Sequence, residues 1–144
     1  MPRSLALALT ITDWLFIAYW TVSGLDRFGL IRVPQDLLYA NAHDPQVVAW
    51  NWSFFPLDIA FSVIGLAAVA ASRRDRPVWR PLALISLILT MVAGGMAVAY
   101  WTLLGEFDPA WFLPNLALLL WPLAFLPGLV GQLASGHDSG SDAG

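Results

Sequence analysis

Val47-Val48-Ala49-Trp50-Asn51-Trp52-Ser53-Phe54-Phe55-Pro56-Leu57-Asp58-Ile59-Ala60-Phe61-Ser62-Val63-Ile64-Gly65-Leu66-Ala67-Ala68-Val69-Ala70-Ala71 is a run of 25 residues with one charged side chain and no basic one. A helix of about 20 apolar residues crosses a hydrocarbon core, so the run reads as a transmembrane span. No basic residue occurs between His43 and Arg73. Asp58 therefore has nothing in its own span to neutralise it. An acid at a helix centre costs about 2.5–3.5 kcal/mol on insertion scales. Such a cost is tolerated where the group faces a cavity, a partner or a ligand. Asp58 is thus the leading candidate for function.

The whole chain agrees with a membrane setting. Of 144 residues, 58% are hydrophobic and 12% charged, with mean hydropathy +0.67. A soluble domain needs more charge than that to cover its surface. Three further runs are long enough to cross: about 5–25, 81–104 and 111–133. With 47–71 they make four spans, joined by an outer loop at 26–46. Ser4 is a plausible N-cap for the first span. Pro77, Pro81 and Asp108-Pro109 mark later helix starts. The expected fold is an all-α integral membrane bundle of four antiparallel helices, one domain over 1–134. The Gly/Ser/Asp-rich tail 135–144 is expected to be disordered. A cleaved signal peptide fits the first span less well, because that run carries Asp13 and two tryptophans.

Arginines orient the bundle. All seven basic residues are arginine. Arg73, Arg74, Arg76 and Arg80 follow the second span, whereas Glu106 and Asp108 follow the third. The positive-inside rule then places both termini in the cytoplasm. Arg3 agrees, and Arg27 and Arg32 pull weakly the other way. The all-arginine set suits a high-GC bacterial genome, so the bacterial cytoplasmic membrane is the expected location. The net charge of −3 and the absence of a basic stripe exclude a nucleic-acid footprint. The chain has no cysteine. His43 and His137 both lie in loops, so neither a metal cluster nor a cofactor is expected.

Helical spacing puts Asn51, Phe54, Asp58, Ser62 and Gly65 on one stripe of the second span. Pro56 removes the bond to the Trp52 carbonyl, so the helix should kink there and free that acceptor. Ser86, Thr90, Gly94, Ala97 and Trp101 share a face of the third span. Small residues at that spacing read first as close helix packing. Asn115, after Pro114, lies below the outer boundary of the fourth span, within reach of the same space as Asn51. Asp13 reads about evenly as structural or functional and leans structural. Asp26 reads as a solvated loop acid near Arg27 and Arg32, on one face with Tyr19, Val22 and Ser23. A protonated Asp58 hydrogen-bonded to Ser86 or Thr90 is the bland alternative for the central acid.

Asp44-Pro45, followed by Ala49-Trp50-Asn51-Trp52-Ser53-Phe54 and Asp58, resembles the EXPERA superfamily. These are small four- or five-span proteins that include emopamil-binding sterol isomerases and the sigma-type receptor. The likeness covers an Ala-Trp-x-x-Ser-Phe stretch with an acid at the same offset on the second span. It implies a lipid-accessible cavity in which Asp58 and Asp26 form an acid pair facing an amine or hydroxyl of an apolar ligand. Asp13-Trp14 is an alternative match for the family's first acid. Phe54 stands where the isomerases carry a histidine. The four-span architecture also resembles the YvaD-like group of bacterial proteins, which lends no activity.

The expected function is binding of a small amphipathic lipid, sterol-like or isoprenoid-like, between spans one, two and four. Its site would comprise Asp58, Asp26, Asn51, Ser62, Tyr19, Thr90, Trp101 and Asn115. For isomerase-like chemistry, Asp58 would be the catalytic acid or base, with Trp20, Tyr100 or Trp101 steadying positive charge. Two rivals stand beside it. One is a proton-coupled carrier acting as a homodimer, using Asp58 or Asp13. The other is an assembly subunit whose Asp58 pairs with a basic residue on another protein.

Overall fold

A computed structural model describes residues 1–34, 37–38 and 43–138, with the side chains of 136–138 excepted. Six α-helices and one 3₁₀ turn build four spans: α1 (Arg3–Arg27), α2 (Pro45–Ser53), α3 (Phe55–Ser72), α4 (Trp79–Leu104), α5 (Pro109–Leu120), the 3₁₀ turn (Trp121–Ala124) and α6 (Leu126–Asp138). Arg3–Arg27, Pro45–Ser72, Trp79–Leu104 and Pro109–Ser135 are each long and apolar enough to cross a membrane. They form an antiparallel, all-helical bundle and mark an integral membrane protein. Its outer surface is apolar, with Leu7, Ile11, Trp14 and Leu15 exposed on α1 and Ile85, Ile88, Val92 and Met96 on α4.

Proline sets the interruptions. Pro56 lacks the N–H that would extend α2, so the second span breaks at Phe54 and restarts as α3. The expected free acceptor does not arise, since cap N–H groups bond the Asn51 and Trp52 carbonyls. In the fourth span Pro122 is the second residue of the 3₁₀ turn between α5 and α6, and Pro127 the second residue of α6.

Helix ends differ from the sequence expectation in three places. Pro2, at φ −58° and ψ 142°, precedes α1, so Arg3 rather than Leu5 begins it and Ser4 is not the cap. The second span begins at Pro45 rather than Val47: Asp44 accepts from the Gln46 N–H at 2.8 Å, with Pro45 as first helical residue. The fourth span, expected to end near 133, continues as α6 to Asp138. Residues 139–144 of the tail, and 35–36 and 39–42 of the outer loop, lie outside the described residues.

At the other end of the third span Gly105 adopts φ 71°, a left-handed conformation suited to glycine. Its N–H and that of Glu106 close back on Thr102 and Trp101, both at 3.1 Å. The chain then enters α5 through Asp108, which accepts from Ala110 N–H at 2.9 Å.

The spans pack in a row: α1 on α3, α3 on α4, α4 on α5. No Cα atom of α1 comes within 8 Å of one in α5. The row closes differently at its two ends. Near the arginine loop, Leu5 and Leu9 join Ala68, Leu87, Trp79 and Leu129 in one apolar cluster, with Trp121 and Phe125 against it. Toward the acidic 105–108 turn the first and fourth spans stand apart. That gap positions the site.

Candidate functional site

A cavity of about 560 Å³ fills the gap. One wall is the later half of α1, with Thr12, Leu15, Phe16, Tyr19 and Trp20. The opposite wall is α5, with Trp111, Pro114, Asn115 and Leu118, and Trp121 beyond it. Ala93, Ala97 and Trp101 of α4 form the back, and Val47, Trp50, Asn51, Phe54 and Asp58 complete it. The lining is mostly apolar and aromatic with a few polar groups, the usual make-up of a small-molecule pocket.

Glycine lets the back wall approach α5. A Cβ on Gly94 would stand 2.6 Å from the Asn115 carbonyl oxygen and 2.7 Å from Leu119 N. The α4–α5 crossing is therefore backbone against backbone, and the room is left on the α1 side.

Asp58 sits in the first turn of α3, a position that exists because Pro56 starts a new helix within the span. The positive end of the helix dipole favours an acid there. The side chain is 4% exposed. Oδ2 accepts from Trp20 Nε1 at 2.9 Å, and Oδ1 has no hydrogen-bond partner. A buried acceptor left unmade costs about 1–3 kcal/mol. Asp58 does not bond Ser86 or Thr90. Those hydroxyls donate to the Phe61 and Ser86 carbonyls at 3.0 and 2.9 Å.

A second polar pair lies closer to the mouth. Asn51 Nδ2 donates to the Tyr19 hydroxyl at 3.1 Å, tying α2 to α1. Beside it Trp50 stacks on Tyr100 at 3.9 Å and 16° between planes. Phe54 and Trp101 meet Trp50 edge-on at 4.8 and 5.9 Å. Trp20 meets Trp52 and Phe55 edge-on, each at 5.2 Å. Aromatic faces thus surround the approach to the acid.

Of the eight residues expected at the site, Asp58, Asn51, Tyr19, Trp101 and Asn115 are brought together on this cavity. Asn115 turns its amide back to the Trp111 carbonyl at 2.7 Å. Three are not on its walls. Ser62 is buried one turn further along α3, its hydroxyl without a partner. Thr90 is buried in the α4 seam, bonded to its own helix. Asp26 accepts from Val33 N–H at 2.9 Å and so organises the loop after α1. Sequence reasoning did not assign Trp20 as the donor to Asp58. The pair is 38 residues apart, and only the α1–α3 register joins them. Trp50, Trp111 and Trp121 were likewise unassigned; abundant tryptophan was the signal, but it equally fits interface belts. Among the described residues no group of three or more His, Cys, Asp or Glu could hold a metal ion.

A family model described as a family of unknown function, DUF5360, matches residues 5–135. The uncharacterized protein YvaD of Bacillus subtilis (strain 168) is 43% identical over 124 residues, spanning 86% of this chain and 90% of that protein. No solved structure matches the chain.

Proposed function

We infer the function of this chain, which belongs to the DUF5360 family, from its own cavity, and propose that it binds an amphipathic lipid-like molecule there. The occupant would be sterol-like or isoprenoid-like. Its hydroxyl or amine would hydrogen-bond Asp58, and its apolar body would lie between α1 and α5. The observation that carries this reading is the unpartnered Oδ1 of a buried acid at the wall of an apolar cavity of about 560 Å³. A hydroxyl or ammonium supplies the hydrogen that this oxygen lacks. An ammonium would in addition meet the faces of Trp20, Trp50 or Trp101. The separation of α1 from α5 gives such a molecule a lateral way in from the bilayer.

The resemblance to EXPERA proteins in the Ala49–Asp58 stretch points the same way and belongs to this proposal. The rivals find less support. An assembly subunit calls for an acid turned outward, and Asp58 is 4% exposed. A carrier needs a path to both faces, and the cluster around Leu9, Leu87 and Leu129 fills the arginine end.

Thermal unfolding of the purified protein in detergent tests the proposal, using dodecanol, dodecylamine, farnesol and dodecane as probes. A ligand at about 100 times its Kd stabilises by about 2.7 kcal/mol. The alcohols or the amine should raise the midpoint of wild type and not of Asp58→Asn. Equal shifts in both proteins, or a shift with dodecane alone, would count against an acid-centred site.

A further inference from the structure

Asp13 takes no part in the cavity. Its side chain is wholly buried, and neither carboxyl oxygen has a hydrogen-bond partner. It rests on the bare Cα of Gly65 in α3. A Cβ there would overlap Asp13 Oδ2 and would stand 2.9 Å from Asp13 Cγ and 2.8 Å from Ser86 Oγ of α4. Three helices therefore meet at this one carboxyl.

The hydroxyls of Ser86 and Thr90 on α4 are already committed, while that of Ser62, three residues before Gly65 on α3, has no partner. Ser86 Oγ donates to the Phe61 carbonyl at 3.0 Å, and Thr90 Oγ1 donates to the Ser86 carbonyl at 2.9 Å. A hydroxyl has one hydrogen and two lone pairs, and an ionised carboxylate can only accept. What Ser86 offers Asp13 is a lone pair. A carboxylate would face an acceptor, whereas a carboxylic acid brings the missing hydrogen.

Nothing nearby supplies positive charge instead. On α3 the one other titratable group is Asp58, seven residues from Gly65. On α4 the charged group is Arg80, whose guanidinium carbon lies 5.2 Å over the Trp79 ring and whose Nε points to Gln132 at 3.4 Å; Tyr100, the other titratable side chain there, stacks on Trp50. On α1 the other charged groups, Arg3, Asp26 and Arg27, stand at the helix ends. A metal ion needs space and several oxygens, and Asp13 lines neither the cavity at Asp58 nor the smaller one between Leu5, Trp79 and Leu129. The space left by Gly65 is filled by the carboxyl itself.

We propose that Asp13 is a proton-binding site, whose carboxylic acid donates to Ser86 Oγ and whose bound proton joins α1 to α3 and α4. The same helix carries Trp20, two turns on, which holds Asp58. The proton at Asp13 thus fixes the wall of the cavity from outside it. This site stands whatever occupies the cavity.

Infrared spectroscopy of protein carrying carboxyl-labelled carbon-13 aspartate tests it, in micelles at neutral pH, in sodium and in choline salts. Asp58→Asn should show an acid carbonyl band of one aspartate, unchanged between the two salts. Asp13→Asn should lack that component. Ser86→Ala, which keeps the acid and removes its acceptor, should move the band to higher frequency; this variant and wild type decide the matter if either Asn variant fails to fold. Absence of any acid band in wild type, a band that Ser86→Ala leaves in place, or a carboxylate band dependent on sodium would each overturn the proposal.

Discussion

Trp20 Nε1 and Asp58 Oδ2 lie 2.9 Å apart across the seam of α1 and α3. The step from Asp13 to Trp20 on α1 is seven residues, as is the step from Asp58 to Gly65 on α3, run in the opposite direction. One register therefore seats Asp13 on Gly65 and brings Trp20 to Asp58. At 1.5 Å per residue the two levels are about 10 Å apart along the bundle.

Trp20→Phe should retain the edge-on contacts to Trp52 and Phe55 while leaving Asp58 without its donor. Orphaning a buried acceptor costs about 1–3 kcal/mol. Thermal unfolding in detergent should show a lower midpoint than wild type. An unchanged midpoint would mean that the bond contributes nothing net.

Gly94→Ala places a methyl group against the α5 backbone, 2.6 Å from the Asn115 oxygen. Overpacking of this kind costs about 1–3 kcal/mol. Its neighbour Gly95 meets only Leu119 Cδ1, at 3.4 Å, so Gly95→Ala is the control. The first variant should melt well below the second, and similar melting of the two would contradict the close α4–α5 crossing.

Gly65→Ala puts a Cβ where the Asp13 carboxyl lies and should destabilise the bundle. Gly128→Ala in α6 has nothing within 4 Å and should be neutral or stabilising by up to about 1 kcal/mol, since alanine favours helix. Paired unfolding curves decide between them. Restoration of Gly65→Ala by shortening Asp13 to alanine would locate the clash in that side chain.

Much of this architecture could be read from the chain. Twenty-odd apolar residues in a row admit few structures in lipid, so the four spans followed from hydropathy. The break before Pro56 followed from a missing N–H. Pairings between spans did not follow, because the residue of α3 that faces α1 depends on register and rotation. Gly65 could be placed on a stripe with Asp58, but nothing local tied it to Asp13. The cavity is a missing contact between α1 and α5, and no motif encodes an absence. Asp26 shows the reverse case, an acid with a plausible ligand role that folds back to the Val33 backbone.

Arginine placement predicts the topology, and the lack of cysteine makes it simple to measure. Arg74→Cys lies in the exposed loop after α3, and Phe107→Cys at the exposed turn after α4. A membrane-impermeant thiol reagent applied to intact bacterial cells should label the second and not the first. The opposite pattern would invert the assigned orientation.

The central claim, that Asp58 holds an amphipathic molecule between the first and fourth spans, is tested most directly by what the protein retains. Wild type and Asp58→Asn would be purified in parallel in mild detergent, and their extracted small molecules quantified by mass spectrometry against protein. The account predicts one amphiphile with a hydroxyl or amine, near one per chain in wild type and at least about tenfold lower in the variant, the loss expected for about 1.4 kcal/mol of binding. Equal retention by the two proteins, or no amphiphile above the detergent background in wild type, would contradict it.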